Sequence, residues 1–139
     1  MKIVSLFSGA GGLDLGMVKS GHQIVWANDI DSDAVATYKH NIGNHILLAD
    51  IKNVHENEIP ACDIVIGGFP CQDFSISGKR NGFNSTKSHN GGKLEPDEPS
   101  IESRGQLYMW MREVVTLTQP NLFIAENVKG LTNLEDVKE

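Results

Sequence analysis

Asp63-Ile64-Val65-Ile66-Gly67-Gly68-Phe69-Pro70-Cys71-Gln72-Asp73-Phe74-Ser75 is the stretch from which the rest of the chain can be read. Its apolar beginning reads as a buried strand. The two glycines are expected to stop that strand. Pro70 then fixes one backbone angle and supplies no N–H, so Cys71 leaves on a stiff path. A thiol placed where a buried strand meets a loop is where a nucleophile would be presented. A lone Cys near a strand is more often a small buried hydrophobe, so the weight of Cys71 depends on what stands at the ends of the other strands.

Working outward, Ile3-Val4-Ser5-Leu6-Phe7 reads as a buried strand, followed by the glycine-rich turn Ser8–Gly12 and a helix from Leu13 to Ser20 that stops at Gly21. Gln23–Ala27 is a second strand ending at Asn28-Asp29. A helix over Asp33–His40 follows, capped by Asp31 or Ser32. His45–Leu48 is a third strand ending at Asp50, and a polar segment with one helical turn runs to Pro60. Cys62–Ile66 is the fourth strand. Arg104–Thr118 has helical spacing, with Leu107, Met111, Val114, Val115 and Thr118 on one side; Tyr108, Met109, Trp110 and Met111 are assigned to core packing. Asn121–Ala125 is the fifth strand, ending at Glu126, and Val128–Glu139 begins another helix.

This alternation predicts an α/β fold, a mostly parallel sheet with helices on both faces. In such sheets ligands bind beyond the carboxyl ends of the strands. Here those ends carry a glycine loop, Asp29, Asp50, Cys71 and Glu126. Five such groups on one rim make a site the better reading of each.

Composition narrows the class. The chain has 139 residues, 40% hydrophobic and 22% charged, enough for one domain. No apolar run approaches the roughly 18–20 residues that cross a bilayer, and no signal peptide is read at Met1, so the expected compartment is the cytoplasm. Cys62 and Cys71 would sit at opposite ends of a strand, about 30 Å apart, too far to bridge. The five histidines show no metal spacing, so no metal site is expected. The net charge of −6 argues against a whole-surface nucleic-acid binder. Locally, residues 72–94 carry Lys79, Arg80, Lys87 and Lys93 against one acid, Asp73. The polar segment 75–103 is longer than compact domains usually tolerate without a function.

The chemistry follows from the rim. After Gly9-x-Gly11 the dinucleotide fingerprint requires glycine at 14, where Asp14 stands, so a pyrophosphate cradle is disfavoured. Asp29, 17 residues past Gly12, suits two ribose hydroxyls, or else a helix cap; Asp50 suits an adenine amino group, or else a turn. A nucleoside with a phosphate-free tail fits, S-adenosyl-L-methionine being the obvious candidate. A thiolate attacking C6 of a pyrimidine, with a carboxylic acid at N3, makes C5 electron-rich enough to take a methyl group. The base must first leave the duplex.

With these motifs in place, the chain resembles the C5-cytosine DNA methyltransferases over nearly its whole length. Phe7-Ser8-Gly9-Ala10-Gly11-Gly12-Leu13 looks like the family's cofactor loop, and Asn28-Asp29-Ile30-Asp31 like its ribose-binding segment. Ala49-Asp50-Ile51 is similar to its adenine-contacting segment. Gly68–Ser75 resembles its nucleophile motif, Ser77–Phe83 its mobile DNA-closing loop, Ser103–Leu107 the start of its next helix, and Glu126-Asn127-Val128 the motif that supplies the acid. The resemblance implies a Rossmann-like methyltransferase fold and a DNA (cytosine-5-)-methyltransferase of the restriction-modification type. It implies Phe7, Gly9, Gly11, Gly12, Leu13, Asp29, Ile30, Asp50, Ile51 and Pro70 around the cofactor, and Cys71 and Glu126 as nucleophile and acid. Gln72, Ser75, Lys79 and Arg80 would approach duplex DNA.

Two departures shape what to expect. Residues 84–102 look like an insert and bring Glu95, Asp97, Glu98 and Glu102 near the closing loop. The family's later base-reading and cofactor-contacting segments have no counterpart here. The expectation is therefore the N-terminal part of a catalytic domain, truncated after about five strands and inactive alone. Its open sheet edge would take a complementary chain or a second copy. Two other readings stand beside an enzyme part: an S-adenosylmethionine-binding module without turnover, and a nicotinamide oxidoreductase. The failed fingerprint and the Pro70-Cys71 site disfavour the last.

Overall fold

The computed structural model describes residues 1–69 and 107–127. Its elements are β1 (Lys2–Leu6), α1 (Gly12–Lys19), β2 (Gln23–Asp29), α2 (Ser32–Asn41), β3 (Ile46–Leu48), β4 (Ile64–Gly67), α3 (Leu107–Thr118) and β5 (Leu122–Ala125). The five strands form one sheet in the order β3-β2-β1-β4-β5. All four pairings are parallel. Because β1 lies between β2 and β4, the strand order reverses there, and loops leaving β1 and β4 diverge to opposite faces. A crevice opens at such a point.

Hydrophobic pattern explains the order. β1 and β4 are central, and their runs are apolar on both faces, as a doubly covered parallel strand requires. Ile3, Val4, Leu6, Val65 and Ile66 have no exposed surface. Ile3, Ile24, Ala27, Val35, Tyr38, Ile46, Ile64 and Ile66 form one core cluster. Each buried Ile stabilises the fold by about 1.5–3 kcal/mol. The edge strand β5 is the contrast, with Leu122 51% and Phe123 59% exposed.

Local boundaries shift by a residue or two from those read in the sequence. The instructive case is β4. The first glycine does not stop it: Gly67 pairs with Leu6 on one side and Ala125 on the other, and the strand ends before Gly68. A Cβ there would lie 3.2 Å from the Leu6 carbonyl oxygen and 3.4 Å from Met111 Sδ. Glycine at 67 therefore lets neighbouring backbone and α3 come close. Asp31, not Ser32, caps α2, its Oδ1 accepting from the Asp33 and Ala34 amides. The polar segment after β3 forms two 3₁₀ turns, Ile51–Asn53 and Glu56–Glu58. In α3, Leu107, Met111 and Val114 are buried as spaced, but Met109 is 37% exposed and is not core.

Contacts divide the chain into two units, Met1–Gly68 with Trp110–Glu126, and Phe69–Met109 with Asn127–Glu139. The first holds the sheet. In the second, Asn127 Nδ2 donates to the Phe69 carbonyl at 3.1 Å. No described helix is long and apolar enough to cross a membrane. Pro70, Cys71, Gln72, Ser75, Lys79, Arg80, the 75–103 segment with its insert, the start of the third long helix at 104–106 and the helix expected over Val128–Glu139 lie outside the described residues.

Candidate functional site

The first strand exit is built from left-handed backbone. Phe7 has φ 53°, Gly9 φ 55° and Gly11 φ 90°. Such angles cost a non-glycine residue energy, so Phe7 is held there by its surroundings. Ser8 N donates to the Asn28 carbonyl at 2.9 Å, and Gly11 N to the Ser8 carbonyl at 3.0 Å. Gly9 N donates to Asp29 Oδ2 at 2.7 Å, while Asp29 Oδ1 accepts from Asp31 N at 2.9 Å. The acid at the end of β2 thus clasps the glycine loop at the end of β1. It is not the cap of α2, but each of its oxygens keeps accepting capacity for a ligand.

Asn28, 1% exposed, joins three strand ends. Its Oδ1 accepts from Phe7 N at 3.4 Å and its Nδ2 donates to the Ala49 carbonyl at 3.2 Å. Ala49 N donates to the Asp29 carbonyl at 3.0 Å. Asp50 caps the first 3₁₀ turn through Lys52 N, and its Oδ2 lies 3.5 Å from Lys52 Nζ. Of the two apolar residues beside these acids, Ile30 is 47% exposed and Ile51 only 5%. Ile30 therefore offers a face to a flat apolar ligand; the Ile51 side chain belongs to the interior.

A hollow of about 190 Å³ opens at the switch point, lined by Ser5, Leu6, Phe7, Ser8, Leu13, Asp14, Gly67, Gly68 and Glu126. Glu126 N donates to the Gly67 carbonyl at 2.9 Å, the last rung of β4–β5 pairing. The Glu126 carboxyl then folds over Gly68, with Oε2 3.2 Å from where a Cβ would stand. The structure thus brings together Phe7, Leu13 and Glu126, and ties Gly9 and Asp29 to them through the loop. Glu126 is exposed among the described residues.

Four contributors escaped the sequence reading: Ser5, Asp14, Asn28 and Tyr38. Asp14 is 1% exposed although Leu13 and Leu15 beside it are 39% and 38% exposed. Its Oδ1 accepts from Ser5 Oγ and its Oδ2 from the Tyr38 hydroxyl, both at 2.7 Å. Burial pushes the Asp14 carboxyl above the usual range, against the lowering effect of those two bonds. Burial, and then the bond to Asp14, push the Tyr38 phenol up. His45, whose Nε2 lies 3.0 Å from the Tyr38 oxygen, is pushed down by burial, against the pull of Asp14. The available signal was an acid in the apolar run of α1, at the position where the fingerprint wanted glycine.

The rim can be tested against an S-adenosyl nucleoside. A Cβ built at Gly9 or Gly12 meets no atom within 4 Å, so the loop leaves open space where a ligand would come. Two carboxylates, Asp29 and Asp50, stand on successive strand ends for hydroxyl and amino donors. The donor set fits the group. Among the described residues no cluster could hold a metal ion.

Comparison with known proteins agrees with this geometry. The chain is 44% identical over 133 residues to the type II methyltransferase M.NgoFVII of Neisseria gonorrhoeae, covering 94% of this chain and 31% of that protein. It is 35% identical over 132 residues to M.Bsp6I of a Bacillus species, covering 94% and 37%. It spans about a third of the length of these curated relatives. A crystal structure described as a DNA modification methyltransferase of an E. coli prophage superposes with a TM-score of 0.68 at 29% identity, over 98% of this chain and 34% of that one. The S. pombe Dnmt2 methyltransferase shares the fold at a TM-score of 0.65 and 19% identity, over 99% and 38%. The family model for C-5 cytosine-specific DNA methylase matches residues 1–139. With its strand order, its glycine loop and its acid-bearing rim, the chain belongs to the C-5 cytosine-specific DNA methylase family.

Proposed function

We propose that this chain carries the S-adenosyl-L-methionine site and the reactive groups of a DNA cytosine C5 methyltransferase. The observation that supports it most is the clasp between Gly9 and Asp29 on the loop whose Phe7 and Ser8 line the same hollow as Glu126. It presents open loop backbone, a hydroxyl-binding acid and a second carboxyl group at one switch point. Phe7, Gly9, Gly11, Gly12, Leu13, Asp29, Ile30, Asp50 and Pro70 would hold the cofactor, with Ile51 taking part through its backbone; when bound, the cofactor supplies an electrophilic methyl group. Asp29 would take the ribose hydroxyls and Ile30 would cover the adenine face. Asp50 would accept from the adenine amino group.

On the substrate, the Cys71 thiolate would add to C6 of a flipped cytosine while Glu126 protonates or hydrogen-bonds N3. Electron density would then move to C5, so that the methyl group could pass to it with S-adenosylhomocysteine as the leaving group. Loss of the C5 proton to water, return of the N3 proton to Glu126 and expulsion of the thiolate would restore the ring. Exposure of Glu126 leaves its carboxyl reachable by a base entering from outside. Gln72, Ser75, Lys79 and Arg80 would face duplex DNA. A restriction-modification role in the cell interior follows from this reading. So does association through β5, whose exposed Leu122 and Phe123 lie on a strand paired, among the described residues, only with β4; the occupant would be a complementary chain or another copy.

Isothermal calorimetry decides the cofactor reading. S-adenosylhomocysteine is expected to bind the chain and NAD is not, and Asp29→Ala is expected to weaken that binding at least about tenfold, the loss of a pair of charge-assisted hydrogen bonds. No heat with S-adenosylhomocysteine, or equal affinity for NAD, would remove it.

A further inference from the structure

The glycine loop is not self-supporting. Three left-handed residues in five, Phe7, Gly9 and Gly11, give it a shape that its own bonds do not impose. What stands behind it is Tyr38 of α2, with no exposed surface. A Cβ at Gly11 would fall on the Ile42 side chain and within 2.8 Å of the Tyr38 ring, so the ring lies flush against loop backbone. The hydroxyl of the same ring reaches past the loop to Asp14, in the first turn of α1.

From Asp14 the bonds continue into the hollow. Asp14 accepts from Ser5, and Ser8 Oγ, on the loop itself, donates to Ser5 Oγ at 2.9 Å and to the Ser5 carbonyl at 3.2 Å. Behind Tyr38 stands His45, edge-on at a ring separation of 5.5 Å and within hydrogen-bond reach of the hydroxyl. A continuous polar line, His45–Tyr38–Asp14–Ser5–Ser8, thus runs from the entry of β3 to the wall of the hollow. We propose that Tyr38 and Asp14 are positioning residues: the ring and its hydroxyl, fixed to the Asp14 carboxyl, hold the Phe7–Gly12 loop in its binding shape. This deepens the cofactor reading above and rests on it for the ligand.

The proton count constrains the line. A tyrosine hydroxyl has one proton. Given to ionised Asp14, it leaves the Tyr38 oxygen as acceptor, so His45 must donate from Nε2. In Asp14→Asn the amide N–H₂ donates to the Tyr38 oxygen, the phenol proton turns to His45 Nε2, and Ser5 still donates to the amide oxygen. The strut survives without the charge. In Asp14→Ala, or in Tyr38→Phe, it does not.

The test measures S-adenosylhomocysteine affinity by calorimetry and amide exchange at Gly9, Gly11 and Gly12 by NMR, in the 139-residue chain. Asp14→Ala and Tyr38→Phe are expected to bind at least tenfold more weakly and to exchange those amides at least tenfold faster. Asp14→Asn is expected to recover most of both losses. Val114→Ala, which loosens the protein through α3, is expected to keep wild-type affinity and loop exchange. If Asp14→Ala and Tyr38→Phe do not fold, His45→Ala, at the half-buried end of the line, is expected to speed loop exchange about threefold. Wild-type affinity and loop protection in folded Tyr38→Phe, or equal losses in Val114→Ala, or no change in His45→Ala, would overturn the proposal. If the wild-type chain binds no S-adenosylhomocysteine, the cofactor reading fails and loop exchange still decides the strut.

Discussion

Helices α1 and α3 solve the same packing problem in opposite ways. α3 lays Leu107, Met111 and Val114 inward and leaves Arg112, Glu113 and Thr116 exposed. That is the amphipathic arrangement expected of a helix covering a sheet. α1 buries Asp14 and leaves Leu13, Leu15 and Val18 38–42% exposed. Beyond the contact of Met17 with the core, α1 is oriented by a polar anchor and by the loop that feeds it, whereas α3 is oriented by apolar area. A helix that begins at a ligand loop must aim its first turn, and two 2.7 Å hydrogen bonds aim more narrowly than a methyl contact.

The contrast can be broken by substitution, most severely where α1 meets its loop. Gly11→Ala forces a left-handed alanine into the Tyr38 ring and the Ile42 side chain; we expect a loss of about 3 kcal/mol or more, read as a chain that no longer unfolds cooperatively in urea. Met111→Ala in α3 is expected to cost about 2–4 kcal/mol by cavity formation, with an unchanged urea m-value. A loss under about 1 kcal/mol would mean that α3 is not held by apolar burial. On the cap of α2, Asp31→Ala is expected to cost about 1 kcal/mol. The smallest effect belongs to the exposed side of α1: Leu15→Ser and Val18→Ser should each shift stability by less than about 0.5 kcal/mol. A large loss there would show that α1 depends on apolar contact after all.

Acidity sharpens the same contrast. The folded His45 is pushed below its usual value, so its contribution is present above the unfolded value of about 6.5 and is lost as pH falls through the folded one. The folded Asp14 is pushed above its usual value, so its contribution is present below about 3.9 and is lost as pH rises through the folded one. Thermal unfolding followed from pH 7.5 downward should therefore show stability falling as His45 is forced to take a proton. His45→Gln should flatten that fall, and Met111→Ala should leave its slope alone. An unchanged slope in His45→Gln would remove His45 from the account.

Much of the fold was legible because period and punctuation coincide. Val4, Val65 and Ile66 sit in short β-branched runs bounded by Gly, Asn and Asp, and those runs became the central strands. Asp29 and Glu126 could be assigned to strand ends, and from there to one rim, by the rule for parallel sheets alone. Gly67 misled because a glycine reads as a break when its use is close approach. Met109 misled because it was assigned to the core by residue type although it stands off the inward spacing of Leu107, Met111 and Val114. Asp14 stayed hidden because the partners that permit its burial, Ser5 and Tyr38, are 9 and 24 residues away.

Apolar periodicity and turn residues were enough to specify the order of elements, which depends on neighbours along the chain, and the motifs around Gly9, Asp29, Pro70-Cys71 and Glu126 carried the resemblance to the family that the family model bears out. The tilt of α1, the clasp of Asp29 on Gly9 and the strut from His45 to Ser8 required three dimensions. Each rests on hydrogen bonds between groups 9 to 24 residues apart, and directional bonds of that kind leave no period in the order of residues.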